Sequence, residues 1–447
     1  MELCKVFVPV GAVGGGIEED AFEQGMALKP DIISADAGST DSGPYYLGTA
    51  KTKYARLSLK NDLKLMVVGA VKNHIPLTIG SCGTCGTDNN VDLYEDICKE
   101  ILAEEGLTAK IAKIYTQQDP KVLKRKYLEG KINALGGAPE IDENTFESCT
   151  NIVAIAGIEP FRMALEAGAD IVLCGRATDT AVIAAYPIMK GVEPGIAWHA
   201  AKLAECGAVC TKNANVGGVF LTFDEDSVIV QATAKGNSCS VYSVSSHLLY
   251  ENADPICLVE PGCMIDCSQA VYEQLDEGRV RVSGTIYKQM PYTLKLEGAR
   301  HAGYQTFTLV GVRDRQIMQN PEKWLKALEA YVKIKLKKLN FDSSKYSYLL
   351  RAYGWNAVYG GDVPDGYVPN EIGVLLTVTA ETQELATQVA KVFNPYLLHF
   401  PLDASKPMPS FAFPFSPAET ERGGLYEFTL YHTVSVDDPM ELIRLVL

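Results

Sequence analysis

The chain has 447 residues, 47% of them apolar and 21% charged, with a formal net charge of −14. That length exceeds one simple core, so two domains are expected, and the composition is that of a globular rather than a disordered chain. An acidic balance without a basic stripe excludes a phosphate-backbone partner, so no nucleic acid is expected.

Lys5-Val-Phe-Val-Pro-Val10 reads as a strand, followed by the loop Gly11 to Gly16 and an acidic-capped helix from about Glu18 to Leu28. Asp31 to Ser34 is a second strand. Lys60 to Asn73 reads as a helix, with Leu63, Leu65, Met66, Val68 and Val71 near helical spacing. Ile75 to Gly80 is a third strand, and Asp92 to Glu105 a helix stopped by Gly106. Thr108 to Tyr115 (strand), Pro120 to Glu129 (helix), Ile152 to Ala156 (strand), Pro160 to Ala167 (helix) and Asp170 to Cys174 (strand) continue the alternation. The β runs are Val/Ile/Leu-rich on both faces, as buried parallel strands are, and strands alternating with helices at this spacing imply βαβ units. The expected fold class is α/β, an N-terminal doubly wound, mostly parallel sheet, with a closed barrel as the second choice.

From about Val216 the texture changes. Val219 to Phe223 and Ser227 to Ala232 look like paired strands around Asp224-Glu-Asp226. Thr306 to Val312 is a strand, Pro321 to Leu339 a long helix, and Ile372 to Thr379 a strand leading into a helix from Gln383 to Phe393. The expected division is an α/β domain over residues 1–215, with ligand loops at the C-terminal ends of its strands, and an α+β domain over 216–447. No internal repeat or low-complexity segment stands out. The basic run Lys333 to Lys338 reads as a solvated helix face.

No apolar stretch reaches the roughly 18 residues that span a bilayer. Met1 to Lys5 runs into a strand without a signal pattern. Twelve cysteines scattered through apolar segments fit reduced thiols better than a disulfide framework. A cytoplasmic protein away from the membrane is expected.

Each proposed strand in the first half ends in an unusual loop. These are Gly11 to Gly16, Asp36-Ala-Gly-Ser-Thr-Asp-Ser-Gly-Pro44, Gly80-Ser-Cys-Gly-Thr-Cys-Gly-Thr-Asp88, Gly136 to Glu140, Ala156 to Pro160 and Gly175-Arg-Ala-Thr-Asp179. Open α/β sheets bind ligands at the carboxyl ends of their strands, where helix N-termini and backbone amides converge. One such loop is no more than a turn with favoured capping residues; several at one end of a sheet point to a site. Glycines let the backbone approach a ligand, and hydroxyls beside N–H groups suit a carboxylate or phosphate. Candidate ligand-binding residues are Gly14, Gly15, Gly16, Ser39, Thr40, Ser81, Gly83, Thr84, Arg176 and Asp179. Asp36, Asp41 and Asp88 are the candidate acid/base groups, because carboxylates gathered at strand ends can have their proton affinities pushed apart. Arg176 can clamp a carboxylate through two parallel hydrogen bonds, or pair internally with Asp179 or Glu159.

Cys82-Gly-Thr-Cys85 has metal-ligand or redox spacing, and Cys263 and Cys267 could supply a second pair, but packed small residues are the favoured reading. No cofactor is expected; a divalent metal on the carboxylates stays open. The histidines show no HxH, HxxxH or HExxH pattern, and His301 is the one most apt to face a ligand. Asp36 to Thr40 resembles the phosphate turn of sugar-kinase and actin-like ATPases, but closes the second strand of a βαβ unit rather than a hairpin. GxxxxGK[ST], GxGxxG and GxSxG are all absent, which counts against nucleotide sites and a nucleophile elbow.

The runs Asp36 to Gly48, Gly80 to Gly86, Ala156 to Phe161, Gly175 to Thr180, Ala412 to Pro417 and Tyr426 to Phe428 resemble the acyclic terpene utilisation (AtuA-like) family, over nearly the whole chain. The resemblance implies a setting among acyl-CoA intermediates and a small companion protein. It also implies small residues in place of Cys82 and Cys85, and it carries over no catalytic residue. The resulting expectation is an enzyme acting on a small carboxylate or acyl-CoA thioester by acid/base proton transfer, as a hydro-lyase or isomerase. A hydrolase or metal-assisted lyase on a similar substrate, or a non-catalytic subunit working with the companion, are the alternatives. Homo-oligomerisation is expected of such a chain.

Overall fold

The computed structural model of the chain describes residues 2–250, 252, 254–405 and 408–447, so Met1 of the N-terminal reading lies outside them. Short strands apolar at every position must be covered on both faces, and the first half builds its sheet this way. The parallel strands are β1 (Cys4–Val8), β2 (Ile32–Asp36), β3 (Leu77–Gly80), β4 (Ile111–Tyr115) and β5 (Ile171–Cys174). They are joined in one ten-stranded sheet by β6 (Val219–Phe223), β7 (Ser227–Ala232), β8 (Val271–Gln274), β9 (Arg279–Ser283) and β10 (Arg444–Val446). The order across the sheet is β8-β9-β7-β6-β1-β2-β3-β5-β4-β10. Pairing is parallel from β1 through β2, β3 and β5 to β4, and antiparallel outside them.

Successive side chains point to opposite faces of a strand. Phe7, Ile33, Ala35, Leu77, Ile79, Ile171 and Leu173 pack with helices α1 (Glu19–Ala27), α2 (Arg56–Lys72) and α3 (Asp88–Glu105). Val6, Val8, Ile32, Val172 and Cys174 pack on the other face with α4 (Glu159–Glu166), α5 (Ala181–Met189) and α6 (Pro194–Ala204). The sheet is doubly wound. Because β5 inserts between β3 and β4, the chain leaves β3 toward α3 on one face and leaves β5 toward α5 on the other. Such a switch opens a crevice at the carboxyl ends of the strands.

The change of texture near residue 215 marks the passage from parallel to antiparallel pairing within this sheet, since β6 pairs with β1 and β7 with β6. The chain divides into two compact units elsewhere, Met1–Arg300 with Phe428–Leu447, and His301–Glu427. The run at Ile152 forms a strand, Asn151–Ile155, but pairs antiparallel with Lys295–Ala299 rather than joining the parallel set. A short all-apolar run fixes its burial and leaves its neighbour open.

The second unit is α+β. The segment Tyr304–Val312 pairs antiparallel with Ile372–Ala380, which pairs with Tyr346–Tyr353. Ile372, Val374, Leu376, Val378 and Ala380 alternate inward against Trp324, Leu328 and Val332 of the helix Pro321–Lys338 and Val389 and Phe393 of the helix Gln383–His399. On the first of these helices Leu336 is buried, while Ile334 is exposed and Lys333 pairs with Glu329, so its basic run lies mostly on the solvated face. His301 makes edge-on contacts with Tyr304 and Tyr426 and lines a cavity of about 460 Å³ with Ser344, Lys345 and Thr379. Among the described residues, no helix is long and apolar enough to cross a membrane.

Candidate functional site

Three loops meet at the crevice, and backbone hydrogen bonds fix their approach. Ala37 N–H donates to the Gly80 carbonyl at 3.0 Å, Ser81 N–H to Gly175 at 2.9 Å, and Cys82 N–H to Cys174 at 2.9 Å. Ser81 and Thr84 sit at φ +48° and +78°, a region that side chains other than glycine enter only at a cost. Gly86, at φ +61°, has no room for a side chain, because a Cβ there would lie 2.2 Å from the Arg176 nitrogen.

Asp36 ends β2 and is buried. Its Oδ2 accepts the Gly38 N–H at 2.7 Å, while its buried Oδ1 has no hydrogen-bond partner. Burial first, then the charge of Asp179, push its proton affinity well above the ordinary carboxylate range; Arg176, the Gly38 amide and the Ser81 hydroxyl offset this in part. Asp179 is itself raised, mainly by burial, against the lowering effects of Arg176 and Lys202.

Arg176 is buried at the end of β5. Its Nη1 donates to Ser81 Oγ at 2.7 Å and to the Gly38 carbonyl at 3.2 Å, and its Nε to Glu297 Oε2 at 3.4 Å. Nη2 has no acceptor among the described residues. The internal partner is therefore Glu297, and Glu159 instead accepts from the Tyr292 hydroxyl. Burial works against the guanidinium charge, but Glu297, Asp179 and Asp36 together hold it. Glu297 also accepts from Thr40 Oγ1 at 3.1 Å and from Lys295 at 3.0 Å, and the charges of Arg176 and Lys295 hold its proton affinity below the ordinary value despite its burial.

The polar cluster continues past Arg176. Thr180 Oγ1 donates to Glu260 Oε1 at 2.7 Å, and Glu260 Oε2 is buried without a partner. Burial raises Glu260 to about 7. Glu205, held by Lys202, is raised by burial too. The charge of Asp179 acts upward on Asp36, Glu205 and Glu260 alike.

The other candidates fall differently. Asp41 is exposed and accepts from the Ser39 hydroxyl at the start of a short 3₁₀ turn. Asp88 opens α3 and faces Arg444, whose Nη2 lies 3.2 Å away; burial raises it, and Arg444 opposes that. The Gly14–Gly16 loop already holds an anion, the chain's own Asp62. Asp62 Oδ2 accepts from Gly14 N at 2.7 Å and Gly16 N at 3.1 Å, and Oδ1 from Ile17 N at 2.9 Å. Gly15 N–H donates to Ala12 O instead. The expectation that this loop grips an outside ligand is corrected accordingly. Gly83 and Thr84 are buried, and Thr84 Oγ1 donates to the Ala37 carbonyl at 3.2 Å, so they buttress the β2 loop. Cys82 and Cys85 pack in separate apolar clusters, and burial pushes both thiols up.

Asp62, Glu297, Glu260, Lys202 and Glu205 were not singled out from the sequence. Asp62 had a signal: with Leu59, Leu63 and Met66 it falls on the buried stripe of α2, where an acid needs donors. Glu297 and Glu260 lie on antiparallel strands far along the chain and carry no loop signature.

A doubly wound α/β unit with buried carboxylates at a switch crevice belongs to the class of folds in which small ligands bind at the carboxyl ends of the strands. The family model described as acyclic terpene utilisation family protein AtuA matches residues 46–412, and the chain belongs to that family. The match takes in Ser81, Asp88, Arg176, Asp179 and Glu297 and begins after Asp36 and Asp41. No curated protein and no solved structure matches the chain.

Proposed function

We propose that the chain is an enzyme that moves protons on a small carboxylate or acyl-CoA thioester, as a hydro-lyase or isomerase. The observation that carries this reading is Asp36, a buried carboxyl with one unpartnered oxygen beside Asp179 and Arg176 at the crevice. A carboxyl that keeps its proton where ordinary carboxylates have lost theirs is suited to general acid/base work near neutral pH. Asp179 is its partner: two like-charged groups share the site, and ionising one holds the proton on the other. Arg176 is fixed through Nε and Nη1, which leaves Nη2 to meet a substrate carboxylate or carbonyl oxygen. Asp41 and Asp88 stand outside this pair.

The substrate class leans on the family, since degradation of acyclic terpenes runs through acyl-CoA intermediates. No disulfide joins cysteines among the described residues, in keeping with a cytoplasmic setting. A small companion protein and self-association belong to the same reading, and light scattering of the protein with and without that companion reports both.

The test begins with a thermal-shift screen of short hydroxy acids, unsaturated dicarboxylates and acyl-CoA thioesters, since a ligand of the folded state raises the melting temperature. Turnover of the hits is then followed in wild type and Asp36→Asn. The expected result is binding retained and turnover lost by at least about a hundredfold, the usual scale of acid/base catalysis. Full turnover by Asp36→Asn sinks the proposal.

A further inference from the structure

Beyond Asp179 the crevice holds a group that the proton-transfer reading does not use. Glu205 and Cys206 follow the last turn of α6, and His247 begins a 3₁₀ turn after the short helix Val241–Ser246. One ligand atom from each, a carboxylate oxygen, a thiol sulfur and an imidazole nitrogen, lie within 4.8 Å of one another. His247 is 3% exposed, and neither ring nitrogen makes a well-formed hydrogen bond, the Lys202 backbone offering it a weak contact. A buried imidazole ordinarily has at least one, so this ring calls for an explanation.

The placement is held by the first loop. A Cβ on Gly11 would lie 2.6 Å from the carbonyl carbon of Cys206, so only glycine lets the end of β1 come this close. The cluster therefore sits at the carboxyl end of the parallel sheet, as Asp36 does. Glu205 is buried, and Lys202 meets it only at Oε1.

We propose that Glu205, Cys206 and His247 form a binding site for one borderline-soft divalent cation of the zinc type. A sulfur, nitrogen and oxygen set excludes calcium and magnesium, which take oxygen ligands, and selects zinc or cobalt. Metal–ligand bonds of about 2.0–2.3 Å put tetrahedral ligands roughly 3.5 Å apart, so the three atoms need to close by no more than about an ångström. Three protein ligands leave a fourth position open, the arrangement of zinc sites that bind water or substrate. A thiol ligates such a cation as its thiolate. This site does not depend on Asp36 acting as an acid.

The experiment is titration of the chelator-treated full chain with Zn²⁺ by calorimetry and with Co²⁺ by absorption. The expected result is one equivalent bound, with a thiolate-to-cobalt charge-transfer band. Cys206→Ser should remove the band, and His247→Gln should weaken binding by at least about tenfold, since even outer-shell changes at metal sites cost that much. Asp36→Asn should bind metal as wild type does, which separates this site from the proton-transfer reading. Cys82→Ser should leave the band in place. Circular dichroism confirms that each variant is folded before titration. No charge-transfer band in folded wild type, or a band that survives Cys206→Ser, overturns the proposal.

Discussion

Replacing Asp36 with asparagine should stop catalysis and at the same time make the protein less sensitive to rising pH. The Asn side chain copies the protonated carboxyl: its oxygen keeps the 2.7 Å bond from the Gly38 amide, and its nitrogen takes the place of Oδ1, which has no partner in any case. In the wild type the folded state holds the Asp36 proton more tightly than the unfolded chain does, because burial and Asp179 raise its proton affinity. Unfolding then releases a proton. The stability tied to this group is fully present below the ordinary carboxylate range and is lost as pH climbs toward the raised folded value. Within that window the loss approaches about 1.4 kcal/mol per pH unit for one proton. Asparagine has no proton to lose, and its neutrality relieves Asp179. Urea midpoints at a series of pH values should coincide for the two proteins at acid pH and separate steadily above it, with the variant the more stable. Parallel curves across the series would mean that Asp36 ionises as an ordinary surface acid does, and the reasoning would fail.

Three further outcomes are expected. Glu260→Gln keeps the acceptor for Thr180 but removes a group that titrates near 7, so its stability should flatten between the ordinary carboxylate range and about pH 7, where the wild type declines. Asp62→Ala strands the amides of Gly14, Gly16 and Ile17 and should cost about 3–6 kcal/mol in chemical denaturation, whereas Asp62→Asn keeps one acceptor oxygen, enough for Gly14 and Gly16 but not Ile17, and should cost about 1–3. Gly86→Ala drives a methyl group into the Arg176 backbone at a left-handed position and should lower yield and midpoint by more than about 2 kcal/mol; a variant of unchanged midpoint would show that the two loops can part.

The parallel sheet was legible because its strands are short, apolar on both faces and punctuated by loops of unusual length. The strand pair Val219–Phe223 and Ser227–Ala232 shows how closely local pattern can mark an element, while the helix expected from Asp92 begins a turn earlier, at Asp88. Pattern does not say which neighbour a strand takes, so Asn151–Ile155 was assigned to the parallel run and pairs with Lys295–Ala299 instead. Asp36, Ser81, Arg176 and Asp179 can be picked out as candidates from their loops, and the structure brings these four together. Glu297 could not be: its place beside Arg176 depends on a pairing across 121 residues. Gly14 to Gly16 were over-read, because a glycine loop looks the same whether its anion comes from outside or from a helix of the same chain.

The imbalance of charge around Asp179 has a thermodynamic consequence. Asp36, Asp179, Glu205, Glu260 and Glu297 share their surroundings with the cations Arg176, Lys202 and Lys295. An anion entering that company adds to an excess of negative charge, and the least costly response is for one of the raised carboxyls to take a proton from the buffer. Binding of a carboxylate should therefore be accompanied by proton uptake, tighten as pH falls, and show a heat that varies with the ionisation enthalpy of the buffer.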